Sequence, residues 1–291
     1  MSFLHTNHGS TSTTTTTTTR VTIPSNGHKR ALCMGINNYP DPANRLAGCV
    51  NDATDWAAYL NSMGFGIVSL IDAKVTSTNF TEYMGNYISE AKAGDWIVGT
   101  YSGHGSSVPD IDGDEADGKD ECICLYDRFY LDDEIRVLFS KLPEGVNLVF
   151  ISDSCHSGTV TRDFIRVMNS FDFISTPKYL PPILDGLAVR IPLFESNNTF
   201  ASPILKDLPE QSMNHILMAG CKNTEYSYDA FINGRANGAF SAYALQVLKE
   251  NAPLTFNYFN TKLQKLLPSR NYPQTPQLEG SDTKKNQIMF Q

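Results

Sequence analysis

The sequence predicts an α/β protein built on a mostly parallel sheet with helices on both faces. Apolar runs of strand length alternate along the chain with stretches of helical periodicity, which is typical of this class. Two of these runs, 95–101 and 146–152, stop at turns rich in Ser, Asp and Gly, as buried parallel strands do at their carboxyl ends. With 291 residues, 41% of them hydrophobic and 19% charged, the chain can bury a substantial core.

The amino-terminal half of this alternation supplies three strands and two helices. Residues 30–36, 66–71 and 95–101 are short apolar runs bounded by turn residues, and they are predicted as strands. A helix is predicted over 48–63 because asparagine and aspartate residues near its start favour a first turn. Apolar and aromatic residues recur at helical spacing over 80–91, which predicts the second helix.

The carboxyl-terminal half continues in the same way. A hairpin is expected over 122–131. The helix predicted over 132–142 begins with two aspartates, which suit the positive end of the helix dipole. The remaining predicted elements are strands at 146–152 and 215–219, helices at 238–249 and 255–267, and two short segments that close the sheet at 277–278 and 287–289.

Two parts of the chain lack this alternation. Residues 1–26 contain a run of threonines and almost no core-forming residues, so we expect a disordered amino-terminal arm. Residues 158–213 are broken by several prolines and show no sustained periodicity, so we expect a long loop. The sequence therefore predicts one domain, residues 27–291, with the long loop inside it.

Composition and charge argue against several classes of function. The formal net charge of −8 argues against nucleic acid as the main partner. The six cysteines form no CxxC pair and have no zinc-finger spacing, so we expect a reducing, cytoplasmic environment. No apolar run reaches the roughly 18 residues of a membrane span, and the amino terminus lacks a signal-peptide core. We therefore expect no membrane partner.

A cysteine and a histidine stand at the ends of the two strands that carry polar turns. Cys155 follows the fourth strand and His104 follows the third, with a spacing of 155 − 104 = 51 residues. If the two strands are adjacent and parallel, these side chains come together. A thiolate is the reactive form of cysteine, and a nearby imidazole takes its proton and later protonates the leaving group. His156 is a rival base, but neighbours in an extended turn point apart, so we favour His104.

Three motifs resemble the signatures of the metacaspases, cysteine proteases of the caspase-like clan. They are YSGHG at 101–105, DSCHSG at 153–158 and GCVNDA at 48–53, and the likeness runs from about residue 29 to 249. The resemblance implies a caspase-like sheet of six main strands. It also implies a monomeric endopeptidase that cuts protein or peptide substrates after Arg or Lys and is commonly activated by calcium. The single chain with its internal loop is similar to type I and bacterial forms.

The resemblance also assigns roles to individual residues. The backbone N–H groups of Gly105 and Cys155 are expected to form the oxyanion hole. Four residues match positions that line the pocket for the basic substrate side chain: Cys49, Asp52, Ser102 and Asp153. From its spacing alone, Asp52 is better explained as a helix-start charge. Asp153 stands where the caspase signature has Gln, which argues against cleavage after aspartate.

The acidic stretch 110–121 has three interpretations. It is a solvated charge run, an EF-hand, or a calcium site of the kind found in the resembling family. The EF-hand is disfavoured because Glu115 stands where the sharp turn needs glycine. The resemblance implies calcium ligands at Asp120, Asp132 and Asp133, with Asp163 as a fourth candidate that lies one position off the family pattern.

Two function hypotheses remain, and they belong to different classes. The first is a cysteine endopeptidase, and the second is a catalytically silent caspase-like adaptor that binds partners through the same groove. The His104/Cys155 pair favours the first, because an adaptor does not need it. Self-cleavage is expected in the long loop, which offers five basic residues at Arg162, Arg166, Lys178, Arg190 and Lys206.

Overall fold

The structure, a computed structural model, describes residues 29–109, 119–155, 175–181, 212–251 and 253–291. Its strands are β1 (Lys29–Gly35), β2 (Gly66–Ile71), β3 (Trp96–Ser102), β4 (Gly105–Pro109), β5 (Lys119–Cys124), β6 (Phe129–Leu131), β7 (Asn147–Asp153), β8 (Ser175–Pro177), β9 (Ile216–Ala219), β10 (Tyr228–Ile232), β11 (Arg235–Gly238) and β12 (Gln277–Glu279). Its helices are α1 (Cys49–Ser62), α2 (Ser77–Glu90), α3 (Asp132–Phe139), α4 (Ala239–Asn251), α5 (Phe256–Leu263) and α6 (Asp282–Lys285). The predicted arm and most of the predicted long loop lie outside the described residues.

Six strands form the central sheet in the order β12-β9-β7-β3-β1-β2. Neighbouring strands are parallel, except that β12 runs antiparallel to β9 at the edge. The predicted α/β class and the mostly parallel six-stranded sheet are therefore confirmed. Two three-stranded sheets, β4-β5-β6 and β11-β10-β8, stand beside it.

The apolar core is divided between the two faces of the central sheet. One cluster packs α1, α4 and α5 against the sheet through side chains such as Trp56, Phe240 and Phe256. The other packs α2 and α3 against the opposite face through Phe80 and Phe139. The inner strands are apolar on both sides because both faces are covered.

The start of α1 is brought against the end of β1 by a glycine. A Cβ placed on Gly35 would lie within 2.8 Å of the carbonyl carbon of Cys49, so only glycine allows this approach. Gly35 is also paired with Ser102 on β3. The first turn of α1 therefore lies beside the carboxyl ends of the central strands.

The structure departs from the predictions at four places. Residues 287–289 do not close the sheet: Ile288 makes only an isolated bridge with Thr255, and the neighbouring Met289 is buried in the core. The β10–β11 hairpin was not predicted, although its turn is Asn233-Gly234 and both residues have positive φ angles of 52° and 81°. Strands β4 and β8 were not predicted either, and β8 lies within the predicted long loop. Among the described residues, no helix is long and apolar enough to cross a membrane.

Candidate active site

Strand register sets His104 and Cys155 side by side. Strands β3 and β7 are parallel, and Ser102 at the end of β3 lies opposite Asp153 at the end of β7. His104 follows Ser102 by two residues, and Cys155 follows Asp153 by two residues. Both of these side chains are buried. A Cβ on Gly105 would come within 2.7 Å of the carbonyl carbon of Cys155, so the turn after β3 lies directly against the turn after β7.

The two predicted oxyanion donors bind a carbonyl of the chain itself. The backbone N–H groups of Gly105 and Cys155 donate to the carbonyl oxygen of Lys178 at 3.0 and 3.2 Å. The N–H group of Lys178 donates to the carbonyl oxygen of Ser227 at 2.9 Å. The Lys178 carbonyl oxygen therefore accepts two main-chain hydrogen bonds at the predicted oxyanion hole, and two such donors polarise a carbonyl group.

The side chain of Lys178 fills the predicted pocket for a basic residue. It is fully buried, and its Nζ lies 2.9 Å from Ser102 Oγ, 3.0 Å from Asp153 Oδ1 and 3.3 Å from Asp52 Oδ2. Burial alone would lower the pKa of Lys178, but the surrounding carboxylates, Asp153 foremost, raise this pKa well above its usual value. The lysine is therefore cationic in the pocket.

The fourth predicted pocket residue, Cys49, lies close to these charges. Burial raises the pKa of the Cys49 thiol well above its usual value, and the nearby Lys178 opposes this rise. Cys49 is therefore a neutral thiol, and the charge of the pocket wall comes from carboxylates.

The pocket carboxylates are held by donors from the carboxyl-terminal half of the chain. Asp52 accepts from the N–H group of Gly238 at 2.8 Å and from Asn237 Nδ2 at 2.9 Å. Asp153 accepts from Ser227 Oγ at 2.6 Å and from the N–H group of Ser241 at 3.0 Å. These donors fix both carboxylates toward the pocket, and the sequence patterns did not identify them.

Burial and nearby charges shift the pKa values of Asp52 and Asp229. Burial raises the pKa of Asp52 to about 6, the neighbouring Asp153 adds to this rise, and Lys178 opposes it. Asp229, which the sequence analysis did not single out, accepts from the N–H group of Gly48 at 2.8 Å, and burial raises its pKa also. Asp229 thus fixes the start of α1 and adds negative charge near the lysine.

The residues around Lys178 run extended through the site. Before it, β8 pairs antiparallel with β10. After it, the N–H group of Leu180 donates to the carbonyl oxygen of Gly105 at 2.9 Å, and Tyr179 forms a parallel bridge with Gly105. The segment 175–180 is therefore bound as an added strand on both sides of the Lys178 carbonyl, which is how many peptides are recognised.

The thiol and the imidazole each have their own partners. Cys155 Sγ accepts from the N–H group of Ser227 at 2.8 Å and donates to the Ser227 carbonyl oxygen at 3.2 Å. His104 Nε2 lies 2.9 Å from the carbonyl oxygen of Asn44, so Nε2 carries the proton. No hydrogen bond between Cys155 and His104 is present among the described residues. The main-chain N–H group of Cys155 donates to the Lys178 carbonyl oxygen, and the same carbonyl lies near enough to the His104 ring to raise its pKa.

The second ring nitrogen of His104, Nδ1, is able to accept a proton. This atom is buried and has no hydrogen-bond partner within the described ranges. Burial lowers the pKa of His104 to about 4, although the carbonyl groups of Asn44 and Lys178 partly oppose this. The imidazole is therefore neutral near neutral pH, with an open nitrogen beside the bound segment.

Two tyrosines that sequence analysis did not select hold the main chain of His104. Its N–H group donates to Tyr39 Oη at 2.8 Å, and its carbonyl oxygen accepts from Tyr101 Oη at 2.7 Å. The ring of Tyr39 also packs on the imidazole, with 4.9 Å between ring centroids. Both main-chain polar groups of His104 are therefore hydrogen-bonded, which holds the turn between Gly103 and Gly105 in place.

The predicted calcium ligands are only partly described. Asp132 and Asp133 both pair with Arg136, at 2.6 and 3.0 Å, and Asp120 is buried on β5. Across the ranges that the structure describes, no group of three or more His, Cys, Asp and Glu side chains is arranged to hold a metal ion. Several predicted residues lie outside the described residues, namely those of 110–118 together with His156, Arg162, Asp163, Arg166, Arg190 and Lys206.

Comparisons with known proteins agree with this geometry. A family model of the caspase domain matches residues 28–287. Metacaspase-1 of Coccidioides immitis is 29% identical over 91% of this chain, which spans 64% of that protein. Metacaspase-1 of Emericella nidulans is 30% identical over 94% of this chain and 74% of its own length.

Solved structures show the same architecture. A protein from Geobacter sulfurreducens, 28% identical, superimposes with a TM-score of 0.66 over 90% of this chain and 98% of its own. Caspase-1 from Spodoptera frugiperda, 12% identical, has a TM-score of 0.54 over 87% of each chain, a likeness of fold alone. The caspase-like architecture expected from the motifs is confirmed.

Proposed function

The chain belongs to the caspase domain family, a family of cysteine-type endopeptidases with the metacaspases among them, and from that premise we propose that it cleaves after Lys and Arg and cuts its own Lys178–Tyr179 bond. One observation carries the proposal. The Lys178 ammonium group lies between Asp52 and Asp153, while the carbonyl of the same residue accepts from Gly105 and Cys155.

The charge of the pocket supports a preference for basic residues. Two carboxylates in a buried site repel each other and favour a cation between them. The planar fork of arginine can bond to both carboxylates, whereas lysine offers a single point charge. An acidic side chain would place a third negative charge beside Asp52 and Asp153, so cleavage after aspartate is not expected.

The proposed reaction uses the groups around the Lys178 carbonyl. The Cys155 thiol turns away from the Ser227 main chain and gives its proton to His104 Nδ1, and its sulfur bonds to the carbonyl carbon of Lys178. The N–H groups of Gly105 and Cys155 stabilise the oxyanion. The carbon–nitrogen bond to Tyr179 then breaks, and His104 protonates the leaving nitrogen.

A thioester between Cys155 and the carbonyl of Lys178 remains after this step. Water, giving a proton to His104, attacks the thioester carbonyl carbon. The carbon–sulfur bond breaks, and the sulfur takes the proton back as the thiol. The products are a carboxyl group on Lys178, which passes its proton to the new amino group of Tyr179 to give a carboxylate and an ammonium group, and the unchanged enzyme thiol.

Self-cleavage is tested by intact-mass measurement of the purified full chain. We expect two fragments that meet between Lys178 and Tyr179, with Cys155→Ala remaining intact. Lys178→Arg should still be cut, and Lys178→Gln should not. Lys141→Gln, which removes an exposed lysine elsewhere, is the matched control and should be cut like the parent chain. Cutting of Lys178→Gln at the parent rate would refute the pocket assignment.

Calcium activation is proposed through the carboxylates of Asp120, Asp132 and Asp133, which form no three-ligand group in the described residues and would have to draw together around the ion. Carboxylates from β5 and from the start of α3 are the oxygen ligands that calcium prefers, and Asp132 and Asp133 already bind one cation, the guanidinium of Arg136. Bound calcium would neutralise these acids. Calorimetry on the Cys155→Ala chain tests binding without turnover: heat of binding is expected, and its absence at millimolar calcium would refute the site.

The environment and assembly belong to the same proposal. All six cysteines are free and buried, which supports a reducing, cytoplasmic environment. We expect a monomer that acts on protein or peptide substrates, without nucleic-acid or membrane partners. Light scattering coupled to gel filtration tests the monomer, and a mass of two chains would contradict it.

A further inference from the structure

The bound segment does not end at the proposed cleavage point. Two residues beyond it, Tyr179 and Leu180, also contact the domain. We propose that the enzyme has specific subsites for the first and second residues after the cut, and that these select tyrosine, then leucine. This inference rests on the proposed function, since it takes Lys178–Tyr179 as the bond that is cleaved.

Strand β4 holds the main chain on this side of the bond. Gly105 acts twice, because its N–H group donates to the Lys178 carbonyl while its own carbonyl accepts from the N–H group of Leu180 at 2.9 Å. The buried Ser106 donates from Oγ to the carbonyl oxygen of Leu180 at 2.6 Å. The polarised carbonyl and the residues that follow it are thus aligned by two consecutive residues of one strand.

The first subsite is an aromatic wall with a polar end. The ring of Tyr179 lies 5.9 Å from the ring of Tyr226, tilted by 56°. Burial raises the pKa of Tyr179, and the side chain of Ser107, which is itself buried, opposes this rise, so the serine faces the tyrosine hydroxyl group. Tyr226 belongs to the core cluster that also contains Cys155. A tyrosine side chain therefore fits this subsite, because its ring packs on the ring of Tyr226 and its hydroxyl group reaches Ser107.

The second subsite faces the other way. Successive side chains of an extended chain point to opposite sides. Tyr179 packs against the cluster that contains Cys155, and Leu180 packs against the cluster on the opposite face of the central sheet. An aliphatic side chain fits there, whereas a charged one would be desolvated without a partner.

Kinetics with quenched peptides test the first subsite. The peptides are Ser-Thr-Pro-Lys-X-Leu-Pro, with X as Tyr, Phe, Ala or Asp, and the enzyme is the self-processed full chain. We expect kcat/KM to be highest for Tyr, about fivefold lower for Phe, which has no hydroxyl group to place beside Ser107, and about 30-fold lower again for Ala. No cleavage is expected for Asp. Replacing Leu by Asp in the Tyr peptide should also abolish cleavage.

A serine variant tests whether Ser107 binds the hydroxyl group of the tyrosine. Ser107→Ala should lower kcat/KM for the Tyr peptide to the value for the Phe peptide and leave the Phe peptide unchanged. Ser89→Ala, on the exposed side of α2, is the control and should alter neither. Equal kcat/KM for all four X residues would overturn the subsites while leaving cleavage after lysine intact. Cleavage of none of the lysine peptides would overturn both proposals.

Discussion

Gly238→Ala is the substitution that tests the basic-residue pocket most directly. Gly238 ends β11, and its N–H group donates to Asp52 at the base of the pocket. A Cβ at this position would point into the pocket, 2.7 Å from Asp52 Oδ2 and closer still to Lys178 Nζ and Asp153 Oδ2. Ordinary contact begins near 3.4 Å, so the ammonium group would have to withdraw by about 1 Å.

The size of the effect follows from this displacement. A misplacement of about 1 Å costs on the order of 100-fold in rate. We therefore expect kcat/KM for lysine and arginine peptides, and the rate of self-cleavage, to fall about 100-fold in Gly238→Ala. Because the methyl group also crowds buried carboxylates, the free energy of unfolding should fall by about 1–3 kcal/mol.

The assay compares Gly238→Ala with Gly85→Ala. Gly85 lies within α2, where an added Cβ would meet only Leu138 Cδ1 at 3.9 Å. Alanine is preferred to glycine inside a helix, so this control should keep full activity and gain up to about 1 kcal/mol of stability. Unchanged cleavage after lysine in Gly238→Ala would show that the cation does not bind in this pocket.

Three further predictions follow from particular contacts. The ionised form of Asp52 binds the cation and is present above its pKa of about 6, so the rate of self-cleavage should decline as the pH falls through 6. Asp52→Asn should cleave slowly at every pH. The same dependence of rate on pH in both chains would contradict the assignment. Tyr39→Phe leaves the buried N–H group of His104 without its acceptor, so kcat measured by peptide hydrolysis should fall about tenfold with KM unchanged, and an unchanged kcat would refute the positioning role. Arg136→Gln frees Asp132, so calorimetry should show tighter calcium binding, whereas weaker binding would count against the proposed ligands.

The sequence predicted the parts of the site that strand order controls. Cys155 and His104 each follow an apolar run, and parallel pairing of β3 and β7 brings any two such ends together. The order of the motifs could not show that each of these two side chains would form hydrogen bonds with other groups and not with the other member of the pair. The carbonyls of Asn44 and Ser227 that bind them belong to loops whose course depends on tertiary packing.

Lys178 shows where sequence reasoning stopped. It was one of five basic residues in a loop without periodicity, and no local pattern distinguishes it from the others. Its position is set by ion pairs with Asp52 and Asp153 and by pairing of β8 with β10, which are contacts between distant parts of the chain. The β10–β11 hairpin did have a local signal in Asn233-Gly234, and that signal was missed.

Strand β8 completes a sheet from within the same chain, and this has a kinetic consequence. A covalently tied strand competes for its site at an effective concentration on the order of millimolar. A free peptide of the same sequence would therefore have to exceed that concentration to displace residues 175–180. Under the proposed self-cleavage, the first bond cut by each molecule is its own, and the half-time of this first-order event does not change on dilution. Hydrolysis of other substrates should begin only after a lag, and that lag should be equal at every enzyme concentration.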